Sequence, residues 1–562
     1  MSWTLRKKYS DLLAHEEGYQ KKIWGECLSV CLVYPNCYRI GMSNLGFQTI
    51  YTLINQQRSF LCERAFLPDP GDDVAFTPGS IPLFSMESQK PLSDFDIIAF
   101  SISFENDYPN ILRILDMSRI TLDARQRRET EPPVIGGGIS VTLNPEPLAD
   151  FFDLFLIGEG EQILPEFLEA FESACRRGLA RDEILFLIQK EIEGAYVPKF
   201  YSVYYKSNHL IEKIEPINSK LPIKIKKRWI KNINDFITDQ CIISPDAEFK
   251  ELFLTEVSRG CRRGCRFCAA GFIYRPARFR NLSTLGLSFL RGIKGDKKIG
   301  LLGTAVSDHP ELLSLCDYIM KEKGKVALGS LRLDNLDGKM ADLLRENGVE
   351  TVALAPEAGS QRLRSVIHKG ITEGHILNAV ESLADHGIVN IRLYFMVGLP
   401  TETDDDIEAI IHLVKRIKHH AIKHTEGKMP FRRITLSINQ FIPKPATPFQ
   451  WFPLEDTNAV RNRIRRIKNA LGRESSIKII HDIPKWNYIQ ALLSLGDRQV
   501  GKILLSVHKN GGNWPKAFKE VNVNADFYVH RMKDTDEILP WDFIDHGVSK
   551  QELIREYEKA LL

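Results

Sequence analysis

Glu256-Val-Ser-Arg-Gly-Cys-Arg-Arg-Gly-Cys-Arg-Phe-Cys-Ala-Ala-Gly271 is the stretch on which the fold turns. Cys261, Cys265 and Cys268 stand in it at C-x3-C-x2-C spacing, with no fourth cysteine close behind. Three thiolates can hold three irons of a [4Fe–4S] cluster and leave the fourth iron open. An open metal position suits chemistry, whereas four cysteines close a site for structure or electron carriage. Two plainer readings compete: a zinc site completed by a distant His or Cys, and three unrelated thiols.

Around and beyond the cysteines the chain repeats strand then helix from 251 to about 450. Strands are expected at 252–257, 298–303, 325–330, 350–355, 390–397 and 434–441. Six such units predict a partial (β/α)6 barrel, an open relative of the eightfold barrel, with functional residues at the C-terminal strand ends. Candidates stand at those ends, in Gly303-Thr-Ala-Val-Ser-Asp-His-Pro310, Ser330-Leu-Arg-Leu-Asp334, Ala355-Pro-Glu-Ala-Gly-Ser360 and Ile391-Arg-Leu-Tyr-Phe-Met-Val-Gly-Leu-Pro-Thr-Glu-Thr403, a strand into a Gly-Leu-Pro turn. Asp404-Asp-Asp406 suits a helix N-terminus rather than a metal site. Arg262, Arg263, Arg266, Arg275, Arg278 and Arg280 crowd the cysteine loop. They read either as solvated charge or as a positive field for an anionic ligand.

Upstream, residues 1–215 predict a doubly wound (Rossmann-like) α/β domain with a parallel sheet. Its strands are expected at 28–34, 97–103, 133–135 and 153–157, with helices at 41–55, 109–118 and 161–176 between and after them. Ligands of such sheets sit at the carboxyl ends of the strands. Asn36, Tyr38 and Gly41 follow the first strand, Ser101 ends a middle one, Gly136-Gly137-Gly138 follows the next, and Gly158-Glu-Gly-Glu161 comes after the last. The glycines have a plain structural reading as well, in tight turns and close helix–strand packing. Residues 216–250 read as a linker. Its Lys224-Ile-Lys-Lys-Arg-Trp-Ile-Lys231 is either a charge-guarded edge strand or an RNA-contact strip with Trp229 free to stack. Residues 451–562 are expected to be mostly helical, at 455–471 and 486–508, with a tail at 537–548 that folds back on the barrel. The basic face of the first of these helices, Arg461 to Lys468, reads as solvated or as an RNA or acidic-partner contact.

The cysteine loop with Phe267 between its last two thiols resembles that of the radical S-adenosylmethionine (SAM) superfamily. In that superfamily SAM chelates the open iron and is cleaved to methionine and a 5′-deoxyadenosyl radical. The resemblance implies that Phe267 lies against the adenine and that Ser330, Glu357 and Arg392 meet the charged ends of SAM. Arg332 is a further cofactor-binding candidate. A Gly-Gly-Glu-type motif usual after the second strand is missing, and Ser307 and Asp308 are the nearest polar substitutes. The loops of the first domain resemble those of cobalamin-binding domains, in degenerate form. Asn36 and Tyr38 replace an Asp and a His, so no imidazole ligates cobalt from below. Together with Ala355-Pro-Glu-Ala-Gly359, Tyr394-Phe-Met-Val-Gly-Leu-Pro400, Pro443-Lys-Pro-Ala-Thr-Pro448 and Leu539-Pro-Trp-Asp542, the chain is similar to a group of uncharacterised bacterial radical SAM proteins with an N-terminal cobalamin-binding-like domain.

The 562 residues are too many for one core. A net charge of +3 does not by itself point to nucleic acid. The other seven of ten cysteines follow no disulfide framework and are expected to be reduced, and with no signal-like or membrane-spanning stretch the chain is expected in the cytoplasm. The resemblance implies an enzyme that uses a [4Fe–4S] cluster, SAM and an electron donor such as flavodoxin or ferredoxin, with cobalamin an open option. Its reaction is expected to functionalise a C–H bond, by methyl transfer, rearrangement or oxidation. The substrate is unknown. An RNA- or ribosome-modifying enzyme without cobalamin is the alternative, and a non-catalytic Fe–S redox or assembly protein the third reading.

Overall fold

The computed structural model describes residues 2–76, 80–329 and 331–562. The first domain is built on β1 (Leu28–Tyr34), β2 (Phe60–Phe66), β3 (Ile97–Ser101), β4 (Val134–Gly137), β5 (Leu154–Leu156) and β6 (Ala195–Tyr196). They form one sheet in the order β2-β1-β3-β4-β5-β6, parallel except for β6. This is a doubly wound order whose direction of winding reverses between β1 and β3, and the crevice lies outside the strand ends there. Leu45–Gln56 and Gly160–Arg176 are helices packed on this sheet. Asn44 caps the first of them, its side chain accepting from the Phe47 N–H. Gly138 ends β4 at φ +113°, and a Cβ there would stand 2.4 Å from the Ile102 carbonyl oxygen, so the turn takes glycine.

β2 escaped the sequence reading because Glu63 and Arg64 interrupt its apolar run. The structure buries them. Arg64 is fully enclosed and binds Glu16 at 2.6 Å and Glu87 at 2.7 Å. Tyr38 joins this network, its hydroxyl donating to Glu16 at 2.6 Å and lying 2.8 Å from the Ser244 hydroxyl. A buried arginine with two carboxylates satisfies in place what a solvent-facing strand would leave to water.

The second sheet system holds seven parallel strands: β7 (Leu252–Glu256), β8 (Lys298–Leu302), β9 (Val326–Leu328), β10 (Thr351–Glu357), β11 (Asn390–Val397), β12 (Arg433–Gln440) and β13 (Ile477–His481). β7-β8-β9 and β10-β11-β12-β13 form separate ladders, joined among the described residues by a parallel bridge between Leu331 and Leu354. The six expected strands are present, and a seventh extends the barrel past residue 450. β13 is half-exposed and weakly patterned, which hid it in the sequence. Along β11, Ile391, Leu393, Phe395 and Val397 join the helix-packed core, so Arg392, Tyr394 and Met396 face the barrel interior. The long helix Asp404–His424 opens on Thr403, whose N–H bonds Asp406 at 2.9 Å, so Asp406 caps the helix.

Two stretches differ from expectation. Residues 216–250 are more than a linker: Ile225–Lys226 pairs with Ile544–Asp545 from the tail, which thereby folds back. The expected helix 486–508 is two helices, Pro484–Leu495 and Val500–Lys509, broken where the Asp497 carboxylate accepts the Gln499 N–H and the Tyr528 hydroxyl. Both helices pack into the core of the first domain rather than the barrel core. Asn144 ties that junction to the Ser494 and Gly496 carbonyls at 3.0 and 2.8 Å.

Lys533 is buried beside the tail, donating to the Tyr528 carbonyl at 3.0 Å, and burial with Arg531 nearby lowers its ammonium pKa to about 7. Above that value the folded protein holds this amine neutral while the unfolded chain keeps its proton up to its ordinary pKa of about 10.4. Stability from this group therefore rises with pH from 7 to about 10. Lys533→Met is expected to remove that rise, roughly 1 kcal/mol per pH unit, in denaturant melts at pH 7, 8 and 9 compared with the unsubstituted protein. Parallel pH profiles for the two proteins would refute it.

Candidate active site

β7 leads into a hairpin stem in which Ser258–Arg259 pairs antiparallel with Arg278–Phe279, and the intervening loop carries the three cysteines. Cys265 is buried, and Cys261 and Cys268 are half-buried. Burial raises the Cys265 thiol to about 11, opposed by Lys369 and Arg332 and reinforced by Cys268 and Cys261. Burial likewise raises Cys268, reinforced by Cys261 and opposed by backbone N–H groups of Gly271 and Ala270 and by Lys369. The three thiols thus lie within electrostatic reach of one another. Among the described residues, no three His, Cys, Asp or Glu side chains are gathered around the position of a single ion.

The arginines around the loop are bound rather than free. Arg263 makes a bidentate pair with Asp308, both bonds 2.9 Å, and reaches Asp334 at 3.3 Å. Arg266 donates to the Val366 carbonyl at 2.7 Å and to Glu556 at 3.1 Å. Arg275 pairs with Glu552 at 2.7 Å, and Arg278 with Glu159 at 2.6 Å. Arg280 pairs with Glu256 at 2.8 Å. Only Arg262 is exposed, and it lies over the Phe279 ring. A positive field, one of the two readings of these six residues, is therefore largely neutralised. They staple the loop to the strand ends, to the helix after β10 and to the C-terminal helix Lys550–Leu561.

The remaining strand-end candidates fall into three groups. Glu357 closes β10 at φ +68° and is held by Lys369, 3.0 Å from its carboxylate. Arg392 is not at a C-terminal strand end: it is the third of the eight residues of β11, opposite Ala353 of β10, whereas Glu357 stands opposite Phe395; its Nε is buried without a hydrogen-bond partner among the described residues. These two have capacity for a ligand. Asp308, Ser307 and Arg332 are already engaged. Burial works against the Asp308 carboxylate, but Arg263, Arg332 and Asn335 together hold it below its ordinary pKa. The Ser307 hydroxyl accepts the Arg332 N–H at 3.3 Å, and Arg332 pairs with Asp334 at 2.9 Å. Phe267 packs with Ala358, Leu363 and Leu399. Ser330 lies outside the described residues.

A cavity of about 440 Å³ opens between the first sheet and the barrel. Its depth is apolar, between the sheet and the helices 45–56 and 160–176, and includes Leu32, Ile50, Ile135, Leu156 and Ile163. Its mouth takes Ser101, Gly136, Gly137 and Gly138 from the first domain, and Glu256, Ser258, Arg259 and Gly303 from the barrel. Four of the seven predicted loop residues are thus gathered. Asn36, Tyr38 and Gly41 do not line it. Asn36 is bound to Asp107 at 2.8 Å. Tyr38 is drawn into the Arg64 network, and Gly41 packs against Phe66. Ser103, which follows Ser101 at the same strand end, also lines it, and so do residues missed by the sequence reading, Asn44, Thr238 and Arg259 among them. Asn44 carried a signal as a helix cap, but Thr238 and Arg259 arrive there only through domain packing.

Family comparison agrees with this arrangement. Residues 46–198 match the model of radical SAM proteins, N-terminal, and residues 255–414 that of the radical SAM superfamily. An uncharacterized protein of Methanocaldococcus jannaschii is 30% identical over 90% of this chain and 97% of its own length. An uncharacterized methyltransferase of Pyrococcus horikoshii is 24% identical over 50% of this chain and 58% of its own. The cobalamin-dependent SAM radical enzyme OxsB, solved with aqua-cobalamin bound, superposes with a TM-score of 0.50 at 15% identity, covering 90% of this chain and 73% of OxsB, a likeness of fold. With its three-cysteine loop at the mouth of a parallel barrel, the chain belongs to the radical SAM superfamily of enzymes.

Proposed function

We propose that Cys261, Cys265 and Cys268 hold a [4Fe–4S] cluster, that the barrel strand ends bind SAM, and that the cavity of the first domain receives cobalamin for methyl transfer to a carbon substrate. The cavity carries the cobalamin part of this reading, because it opens onto the same strand end that launches the cysteine loop. When bound, the cluster supplies the electron that cleaves SAM.

The chain's own residues account for the rest. Glu357, restrained by Lys369, offers a carboxylate to the SAM ammonium. Arg392, with an unpaired buried Nε, offers a donor to its carboxylate. Phe267, half-buried in an apolar group, offers a face to the adenine. The apolar depth of the cavity suits the flat nucleotide base of cobalamin, and the glycine-lined mouth leaves room for the corrin edge. Tyr38 points away into a buried network, so the first domain supplies no side chain from that position to cobalt.

The RNA-modifying alternative has less free charge to stand on than the sequence suggests. Lys227 is buried, Arg228 pairs with Glu166 at 2.6 Å, and Arg463 and Arg466 pair with Glu402 and Glu408.

Anaerobic reconstitution with iron, sulfide, hydroxocobalamin and SAM, followed by removal of unbound ligand, tests the reading. Retained corrin absorption with release of 5′-deoxyadenosine on reduction supports it. Release without retained corrin makes the first domain a substrate scaffold and overturns the cobalamin part. Single Cys→Ala changes at 261, 265 and 268 are each expected to abolish cluster absorption. Glu357→Gln removes one charge-assisted contact, worth about 1.5–3 kcal/mol, and is expected to weaken SAM binding roughly 10- to 100-fold by equilibrium titration. Unchanged SAM affinity would remove Glu357 from the site.

A further inference from the structure

Glu159 and Glu161 belong to the first domain, the one at the N-cap of the helix 160–176 after β5 and the other in its first turn, yet their partners are the two legs of the cysteine loop. On the outgoing leg Arg259, two residues before Cys261, meets Glu161 at 2.6 Å, Glu256 at 2.8 Å and Glu159 at 3.2 Å. On the returning leg Arg278 meets Glu159 through two bonds, 2.6 and 2.9 Å, and donates to the Ile230 carbonyl. Arg259 and Arg278 sit directly opposite each other in the stem. One carboxylate therefore bridges both legs from outside the barrel. The bridge is anchored in turn: Glu159 accepts the Ile230 N–H at 2.8 Å, and its own N–H bonds the Arg228 carbonyl at 3.0 Å. Gly158 allows this approach at φ +125°, since a Cβ would stand 2.2 Å from the Arg228 oxygen. Glu159 and Glu161 are nearly water-free, with side chains 3% and 5% exposed.

Ion pairs at a surface hold little, but buried and multiply bonded ones define one geometry, because no solvated alternative is within reach. The hairpin stem has only two residues on each leg, too short to be rigid by itself. The same residues, Glu159, Glu161, Glu256 and Arg259, also line the cavity of the first domain.

We infer that Glu159 and Glu161 are positioning residues for the cysteine loop, acting through Arg278 and Arg259, so that the first domain is a working part of the radical centre. The inference rests on the reading that Cys261, Cys265 and Cys268 hold the cluster. It goes beyond that reading in assigning control of their geometry to another domain.

Amide hydrogen exchange on the cluster-free, full-length protein tests it without depending on activity. Glu159→Gln and Glu161→Gln are expected to speed exchange over residues 260–277 by about tenfold or more while β11 stays as protected as before. The reconstituted, reduced variants should take up iron as the unsubstituted protein does, but give an altered electron paramagnetic resonance signal with SAM present. Glu161→Asp, which keeps the charge, should recover part of both. If β11 also loosens in the glutamine variants, the comparison passes to Glu161→Asp, whose exchange should lie between the extremes. Unchanged exchange over 260–277 in all three variants, with normal iron uptake, overturns this inference alone. An unsubstituted protein that takes up no iron overturns the cluster reading instead, and leaves the exchange result standing.

Discussion

Six charges with little access to water hold the centre of this molecule together. Arg259, Arg278 and Arg280 on one side and Glu159, Glu161 and Glu256 on the other sum to zero, and each arginine touches at least one of the carboxylates. Removing ionised groups from water costs several kcal/mol each, and only multiple short bonds offset that loss. Such a group tolerates one arrangement. It fixes where the first sheet meets the barrel, and with it the position of the loop that carries the thiols. A hydrophobic seam of the same area would bind the domains without specifying the angle of a short hairpin.

The thiols of the loop are not all held by a core: Cys265 is buried, but Cys261 and Cys268 are only half-buried. The protein surrounds them instead with arginines whose partners come from Asp308 and Asp334 after β8 and β9, from carbonyls after β10, and from Glu552 and Glu556 on the last helix. That last helix is some three hundred residues from the cysteines in sequence. A run of arginines that reads as a positive field is, in the folded chain, a set of staples. Charge counted along a sequence says nothing about which carboxylates arrive from elsewhere.

The cavity and the cysteine loop share walls. Its apolar depth comes from one domain and half its polar mouth from the other. Glu159, Glu161 and Arg259, which pair at the base of the cysteine loop, are part of its lining, so the cavity of the first domain and the loop of the second lie side by side.

The sequence by itself determined the three thiols, the alternation of strand and helix in both halves, and the glycine and serine strand ends at 101 and 136–138. Each is a local pattern of spacing, periodicity or turn chemistry, carried within a few residues. What only the tertiary structure decided are the places where local pattern and final environment part company. β2 was hidden by Glu63 and Arg64, whose charges are tolerable in a buried strand because Glu16 and Glu87 come to meet Arg64 and because Trp24, Ser85 and Ser88 donate to Glu63. Tyr38 followed a strand end as a ligand-loop residue would, yet its hydroxyl found Glu16 and Ser244 and turned away from the cavity. The helices 484–495 and 500–509 crossed to the first domain, and β13 joined the barrel from beyond its expected end. Hydrogen-bonding groups and apolar faces are satisfied by whichever partner the packed chain brings near, and that partner is chosen by long-range assembly rather than by neighbouring sequence.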